Sequence, residues 1–188
     1  MKRIFIIHRW SGGPDDDWRP WLTAELQKRG YEVVVPAMPD TDTPVIEKWV
    51  NHIKEIVRTP TPDTFFVAHS IGGQAVLRYL ETAPSRIGGA VFVSGWFKLE
   101  NLEDEETEAI AKPWVETPID FAAVKKNLPQ ATLIISDNDP YGAFEENTQK
   151  FKELGANIVV LHGAGHITAD DGYVELPAAL TAIEEMLQ

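Results

Sequence analysis

The chain has 188 residues, 44% of them hydrophobic, which suits one domain with a sizeable core. A formal net charge of −12 opposes attraction to nucleic acid or an anionic membrane, and no apolar run approaches a membrane span, so neither partner is expected. The absence of cysteine excludes disulfides, thiol catalysis and thiolate metal sites, and it fits a reducing cytoplasm, the expected location. The start Met1-Lys2-Arg3 passes directly into a strand-like run and reads as lacking the apolar region of a signal peptide.

Residues 3–8 (Arg-Ile-Phe-Ile-Ile-His) read as a buried strand, and 15–29 as a helix with acidic residues at its start and Gly30 as its stop. Residues 31–35 form a second strand, closed by Pro36 and Pro39. Residues 44–58 read as a helix opened by Pro44, with Ile46, Trp49, Val50, Ile53 and Val57 along one face. A strand at 65–68 runs into a turn at Ser70 and a helix-compatible stretch at 74–80. Further strands are expected at 87–94, 132–135 and 157–161, and further helices at 119–127, 144–154 and 173–187.

Continuous apolar strands imply burial on both faces, and their alternation with helices implies a parallel sheet. The expectation is therefore one domain over 1–188: a three-layer α/β/α sandwich around a mostly parallel sheet of about six strands. Residues 99–110 are densely acidic. Their plain reading is a solvated loop or helix face; the sharper one is a flap that repels anionic substrates.

Ser70 lies two residues after Ala68 and two before Gly72, between a strand and a helix, which is the context of a nucleophile elbow. Ala68 stands where the strict pattern has glycine. A serine hydroxyl needs a base to take its proton and a carboxylate to hold that base in the right tautomer. In open α/β sheets such groups collect at the carboxyl ends of strands. The fifth strand runs into Ser136-Asp137-Asn138-Asp139-Pro140 and the sixth into His162-Gly163-Ala164-Gly165-His166. Asp139 is favoured as the acid, with Asp137 the alternative that braces the turn; His166 is favoured as the base over His162. The spacing of His162 and His166 suits a metal pair on a helix, but the glycines between them argue against a helix, so no metal or other cofactor is expected. His69 is a poor base because adjacent residues diverge on an elbow, and His8 is expected to prop the loop at 9–13.

The developing oxyanion needs donors. The backbone N–H of Ile71 is one candidate, helped by the helix dipole, and Arg9 or Trp10 supplies the second. Trp10, Trp96 and Phe97, which follow strands on one edge, are candidates for an apolar substrate pocket.

With these residues named, the chain resembles the small serine hydrolases related to retinoblastoma-binding protein nine and their short bacterial relatives. The resemblance spans essentially the whole chain. It rests on Ile6-Ile7-His8 with Trp18-x-x-Trp21-Leu22, on Met38-Pro39, and on Val67-Ala68-His69-Ser70-Ile71-Gly72. Val93-Ser94-Gly95, Ser136-Asp137-Asn138-Asp139-Pro140, Gly165-His166 and Glu175-Leu176-Pro177 complete it. It implies a minimal α/β-hydrolase fold without a large cap and a Ser70–Asp139–His166 triad. Arg9 stands where bacterial relatives carry glycine, a departure in the loop that would complete the oxyanion hole. Ile167 replaces their phenylalanine and is read as a changed pocket lining. The family's retinoblastoma association does not carry over, because its Leu-x-Cys-x-Glu element is impossible without cysteine. The expected function is hydrolysis of a small ester or amide through an acyl-Ser70 intermediate. The alternatives are a catalytically weak interaction protein that retains the fold and pocket, drawing on Arg9 and the acidic segment near Glu103, and acyl transfer to an acceptor other than water.

Overall fold

A computed structural model describes residues 1–102 and 104–188. Among these residues the chain forms β1 (Arg3–Ile7), α1 (Arg19–Lys28), β2 (Glu32–Val34), α2 (Ile46–Val57), β3 (Thr64–His69), α3 (Ile71–Glu81) and β4 (Gly89–Val93). It continues with α4 (Glu105–Glu116), α5 (Phe121–Asn127), β5 (Ala131–Ser136), α6 (Phe144–Leu154), β6 (Asn157–Leu161) and α7 (Pro177–Met186). All strand pairs are parallel, in the order β2-β1-β3-β4-β5-β6.

The uninterrupted apolar strands work as expected, because alternate side chains enter two separate layers. Phe5, Ile7, Phe66, Ala68, Phe92, Leu133 and Ile135 face one cluster with Trp49, Ile53, Leu77 and Phe151. Ile4, Ile6, Phe65, Val67, Val91, Val93 and Ile134 face the other, with Trp18, Leu22, Leu26 and Ile183. Helices α2, α3, α5 and α6 thus cover one face of the sheet, and α1 and α7 the other. Fully burying each large apolar side chain contributes roughly 1.5–3 kcal/mol.

Two helices begin four residues later than the pattern suggests, and proline explains both. A proline lacks an N–H and is tolerated only in the first helical turn. Pro20 therefore starts α1 at Arg19, leaving 15–18 as turns in which Asp16 Oδ2 accepts from the Gly13 N–H at 2.6 Å. Pro177 likewise opens α7, where the pattern begins at 173.

The acidic segment becomes a helix that the pattern did not resolve. Asp104 caps α4, its side chain accepting from the Thr107 N–H at 2.8 Å, and Glu105, Glu106 and Glu108 occupy the first turn, where the helix dipole favours negative charge. Trp114 anchors its far end, buried edge-on to Trp49 at 6.0 Å and donating to Pro44 O at 3.0 Å. Glu103, in the middle of the expected flap, lies outside the described residues. Upstream, Leu99 bridges Gly142 and Glu100 N–H donates to Tyr141 O at 2.8 Å, so this stretch is stitched to the turn after β5. Only α4 and α5 interrupt the passage from β4 to β5, and no large cap is present among the described residues.

The chain leaves β1 towards β2 and then returns across β1 to β3, so the order reverses between β1 and β3. At such a switch point the connections diverge and leave a crevice at the carboxyl ends of the strands. Ser70 and the loop after β1 sit there.

Candidate active site

Ser70 follows β3 directly with φ 53° and ψ −122°, a conformation rarely adopted by non-glycine residues, and α3 starts at the next residue. The turn is held by Ser70 N–H donating to Val93 O at 2.9 Å and by Gly73 N–H donating to Ser70 O at 2.9 Å. Gly72 is needed because a Cβ there would stand 2.7 Å from His8 O and 2.8 Å from Ile7 O. The start of α3 thus packs directly on the end of β1. Ala68 is fully buried, and its small side chain fits this turn.

The loops after β5 and β6 are joined residue by residue. Gly163 N–H donates to Asp137 Oδ1 at 2.9 Å, Ala164 N–H to Ser136 Oγ at 2.9 Å, and Gly165 N–H to Asn138 Oδ1 at 2.8 Å. His166 Nδ1 then meets Asp139 Oδ2 at 2.8 Å, with side-chain exposures of 13% and 4%. Asp139 Oδ1 also accepts the Tyr141 N–H at 3.0 Å, which orients the carboxylate. Gly165 has φ 59°, and a Cβ there would meet Asp171 Oδ1 at 2.1 Å, so this ladder requires glycine beside His166. The competing residues form their own pair: Asp137 Oδ2 lies 2.6 Å from His162 Nδ1, out in solvent. The His162 hydrogen bond first, and Gly163 N–H second, hold the Asp137 carboxyl below its ordinary range.

His69 supports His166 from below. Its ring stacks on that of His166 at 5.3 Å, and its Nε2–H donates to His166 O at 2.9 Å. Ser94 Oγ donates to the same carbonyl at 3.1 Å, while the Tyr141 ring stands edge-on to His166 at 5.3 Å. With Nε2 protonated, His69 Nδ1 is an acceptor facing Arg19 Nη1 at 3.5 Å. Burial first, then the neighbouring His166 and Arg19, push the His69 pKa well down, so the ring is neutral.

Beneath this lies an ion-pair cluster that sequence reasoning missed. Asp17 Oδ2 takes Arg9 Nε and Arg19 Nη2, each at 3.0 Å, and Asp17 Oδ1 accepts the Ala169 N–H at 2.9 Å. Burial pushes the Asp17 carboxyl up, but Ala169 N–H, Arg9 and Arg19 together outweigh it and leave the pKa lowered. Arg19 Nε donates to Gly13 O at 2.8 Å. The cluster therefore ties the loop after β1 to the His166 loop. The available signal was Arg19 two residues after Asp15-Asp16-Asp17, but sequence alone does not distinguish that from an exposed helix start.

The loop after β1 is propped as expected. His8 Nδ1–H donates to Arg9 O at 2.8 Å, and its Nε2 accepts the Met38 N–H at 2.9 Å; burial lowers its pKa. Ser11 N–H is spent on Thr41 O at 3.0 Å, and Trp10 Nε1 donates to Asp42 O at 2.9 Å. The Arg9 side chain is drawn to Asp17.

Ser70, His166, Arg9, Trp10 and Trp96 line one cleft of about 560 Å³. Tyr141, Leu99, Leu102 and Ile110 add apolar walls, with Asp42, Asp104, Glu106, Asp170 and Asp171 around them. Ile71 N–H is at the first position of α3, where no carbonyl lies one turn back to receive it. Two expected lining residues are elsewhere. Phe97 packs into the core against Phe151 at 5.1 Å and Phe121 at 5.2 Å, because Asn147 Oδ1 draws in the N–H groups of Phe97 and Lys98. Ile167 is fully buried in the opposite layer: its φ of 57° reverses the chain, and its carbonyl accepts Trp18 Nε1 at 3.1 Å. A more open groove of about 620 Å³, lined by Arg3, Val34 and residues 55–59, contains none of the expected site residues. Among the described residues no group of three or more His, Asp or Glu side chains is arranged to hold a metal ion, and no helix is long and apolar enough to cross a membrane.

A family model described as serine hydrolase matches residues 4–185. The chain belongs to the serine hydrolase family. It is 28% identical over 181 residues to YdeN of Bacillus subtilis (strain 168), named as a hydrolase, covering 94% of this chain and 91% of that one. The solved structure of the ydeN gene product superimposes with a TM-score of 0.90 at 24% identity, covering 100% of this chain and 99% of that one. Est1E from Butyrivibrio proteoclasticus, solved with ferulic acid bound, gives a TM-score of 0.75 at 14% identity over 100% and 88% of the chains. Carboxylesterase CesB from Bacillus subtilis gives 0.63 at 12% identity over 99% and 83%. At these identities the structural likenesses speak for the fold, an α/β-hydrolase sheet shared by this serine hydrolase.

Proposed function

We propose that this serine hydrolase cleaves a small carboxylic ester, or an amide, through an acyl-Ser70 intermediate, with His166 as general base and Asp139 orienting it. The observation that carries this reading is the Asp139–His166 pair, held at 2.8 Å and nearly buried, whose histidine lines the same cleft as Ser70. Because Asp139 accepts from Nδ1–H, the neutral ring keeps its lone pair on Nε2, the atom that would take the Ser70 proton. Ser70 Oγ would then bond to the substrate carbonyl carbon, and the carbonyl π electrons would move onto oxygen. That oxyanion would be received by the Ile71 N–H, at the positive end of α3, and by a backbone N–H of Arg9 or Trp10. His166 would return its proton to the leaving group, and water would release the acyl group by the same route in reverse. The kinship in fold with CesB, a carboxylesterase, supports an ester as the bond.

The test is turnover of p-nitrophenyl acetate and butyrate together with fluorophosphonate labelling. Wild-type protein should label and turn over, and Ser70→Ala should do neither. Unlabelled wild-type protein that is no faster than Ser70→Ala would overturn the proposal.

A further inference from the structure

We infer that Trp96 is a catalytic residue, whose indole N–H holds the Ser70 oxygen in its reactive orientation and stabilises the charge that forms on it. The sequence suggests only an apolar lining role for this side chain. In the structure Trp96 Nε1 lies 3.3 Å from Ser70 Oγ, and the indole is buried, with 3% of its surface exposed. An indole N–H can only donate, so Oγ must be the acceptor. The inference rests on Ser70 being the nucleophile.

A hydroxyl oxygen has four roughly tetrahedral directions. In Ser70 one is the bond to Cβ and one lone pair accepts from Trp96. Two directions remain: the reaction requires one to carry the O–H towards His166 and the other to hold the lone pair that bonds to the substrate carbon. The hydrogen bond thus excludes one of the three staggered positions of the hydroxyl proton and narrows its rotation before substrate arrives. In acylation the Oγ proton passes to His166 Nε2 while the Oγ–C bond forms and the carbonyl π pair moves onto the carbonyl oxygen. In deacylation water gives a proton to His166 Nε2 and bonds to the acyl carbon, then the Oγ–C bond breaks and Oγ takes that proton from His166. In both steps Oγ passes through a state more negative than the resting hydroxyl. A donated N–H strengthens as its acceptor gains charge, so Trp96 binds the transition state more tightly than the ground state.

The segment around Trp96 is built to hold the indole still. Gln74 Nε2 donates to Trp96 O, and Gln74 Oε1 accepts from Arg78 Nη2 at 3.3 Å. Arg78 Nη2 also donates to Trp114 O at 2.7 Å and Thr117 O at 2.8 Å, at the end of α4. On the other side, Asn147 Oδ1 accepts the N–H groups of Phe97 and Lys98, and its Nδ2 donates to Lys98 O at 2.9 Å. Gln74 and Arg78 lie on α3, the same helix that begins beside Ser70, so nucleophile and donor share one rigid support. Gln74 is accordingly a positioning residue for Trp96.

The experiment compares fluorophosphonate labelling rate, kcat/KM on p-nitrophenyl butyrate and thermal midpoint for wild type, Ser70→Ala, Trp96→Phe, and a protein carrying β-(3-benzothienyl)alanine at position 96. The last replaces the indole N–H by sulfur while keeping the ring's size, so it controls for folding and packing. Both position-96 variants should label about 10- to 100-fold more slowly, with the loss in kcat and KM little changed. The benzothienyl variant should keep the wild-type midpoint. If that variant labels as fast as wild type, Trp96 is only a wall of the cleft and the inference fails, while Ser70 stands. If wild-type protein does not label, both readings fall.

Discussion

Two Asp–His pairs stand side by side on the loops after β5 and β6, and by contact distance alone they are hard to tell apart. Asp139 meets His166 at 2.8 Å and Asp137 meets His162 at 2.6 Å, each through Oδ2 and Nδ1. They differ in surroundings. The first pair is 4% and 13% exposed, its His166 is backed by His69 and Tyr141, and that histidine lines the cleft that holds Ser70. The second is 38% and 83% exposed and outside that cleft. A hydrogen bond exposed to water competes with solvent and is weak, whereas one withdrawn from water is stronger and fixes a geometry. A short Asp–His contact therefore marks a catalytic dyad only where solvent is excluded and a nucleophile is near.

The comparison breaks most sharply on the acids. Asp139→Asn should lower kcat by roughly 10³–10⁴-fold, because the amide favours the wrong His166 tautomer. Equal kinetics for Asp139→Asn and Asp137→Asn would overturn the contrast. The buried Asp17–Arg19 pair extends the contrast to stability. Asp17→Asn strands Arg19, whose side chain is 0% exposed, without its counter-charge, and should cost about 3–5 kcal/mol of unfolding free energy in a urea titration. A change within 0.5 kcal/mol would show that the cluster is not needed for folding.

Acid should act next, through the buried histidines. His69 and His8 have pKa values lowered from 6.5 by burial, so the unfolded chain takes up protons that the folded chain refuses. Their contribution is complete above about pH 6.5 and is lost as pH falls, by up to about 1.4 kcal/mol per pH unit for each group. Melting curves from pH 7.5 to 5 should show this decline, and His69→Gln, if folded, should show a shallower one. An equal slope in that variant would remove His69 from the account. The smallest effect is expected at the exposed pair: Asp137→Asn and His162→Ala should each change activity less than about threefold and leave the thermal midpoint essentially unchanged. A larger loss in Asp137→Asn would mean that its brace on Gly163 governs the placement of His166.

Much of this was legible in the sequence because it depends on neighbours along the chain. The apolar runs define all six strands to within a residue or two, since burial on both faces demands such runs. α4 was not legible, because Asp104 and the glutamates that start it also describe a solvated loop, and its anchor Trp114 acts only by meeting Trp49 across the fold. Phe97 and Ile167 were read as cleft residues for a similar reason. Position just past a strand places a backbone at the cleft edge, but a hydrogen bond to Asn147 or a φ of 57° decides where the side chain goes.

Local sequence determined the elbow: Ser70 between a strand and a helix, with Gly72 close behind because no Cβ fits against the end of β1. It also determined the order in which serine, acid and histidine follow their strands. Only the tertiary structure decided which acid meets which histidine inside the protein, and that the indole of Trp96 points its N–H at Ser70. Those outcomes turn on contacts between residues 25 to 27 positions apart, and on which of them lose water when the sheet closes. Spacing along the chain records the first requirement of a site, the right groups past the right strands. Burial and direction are properties of the assembled layers.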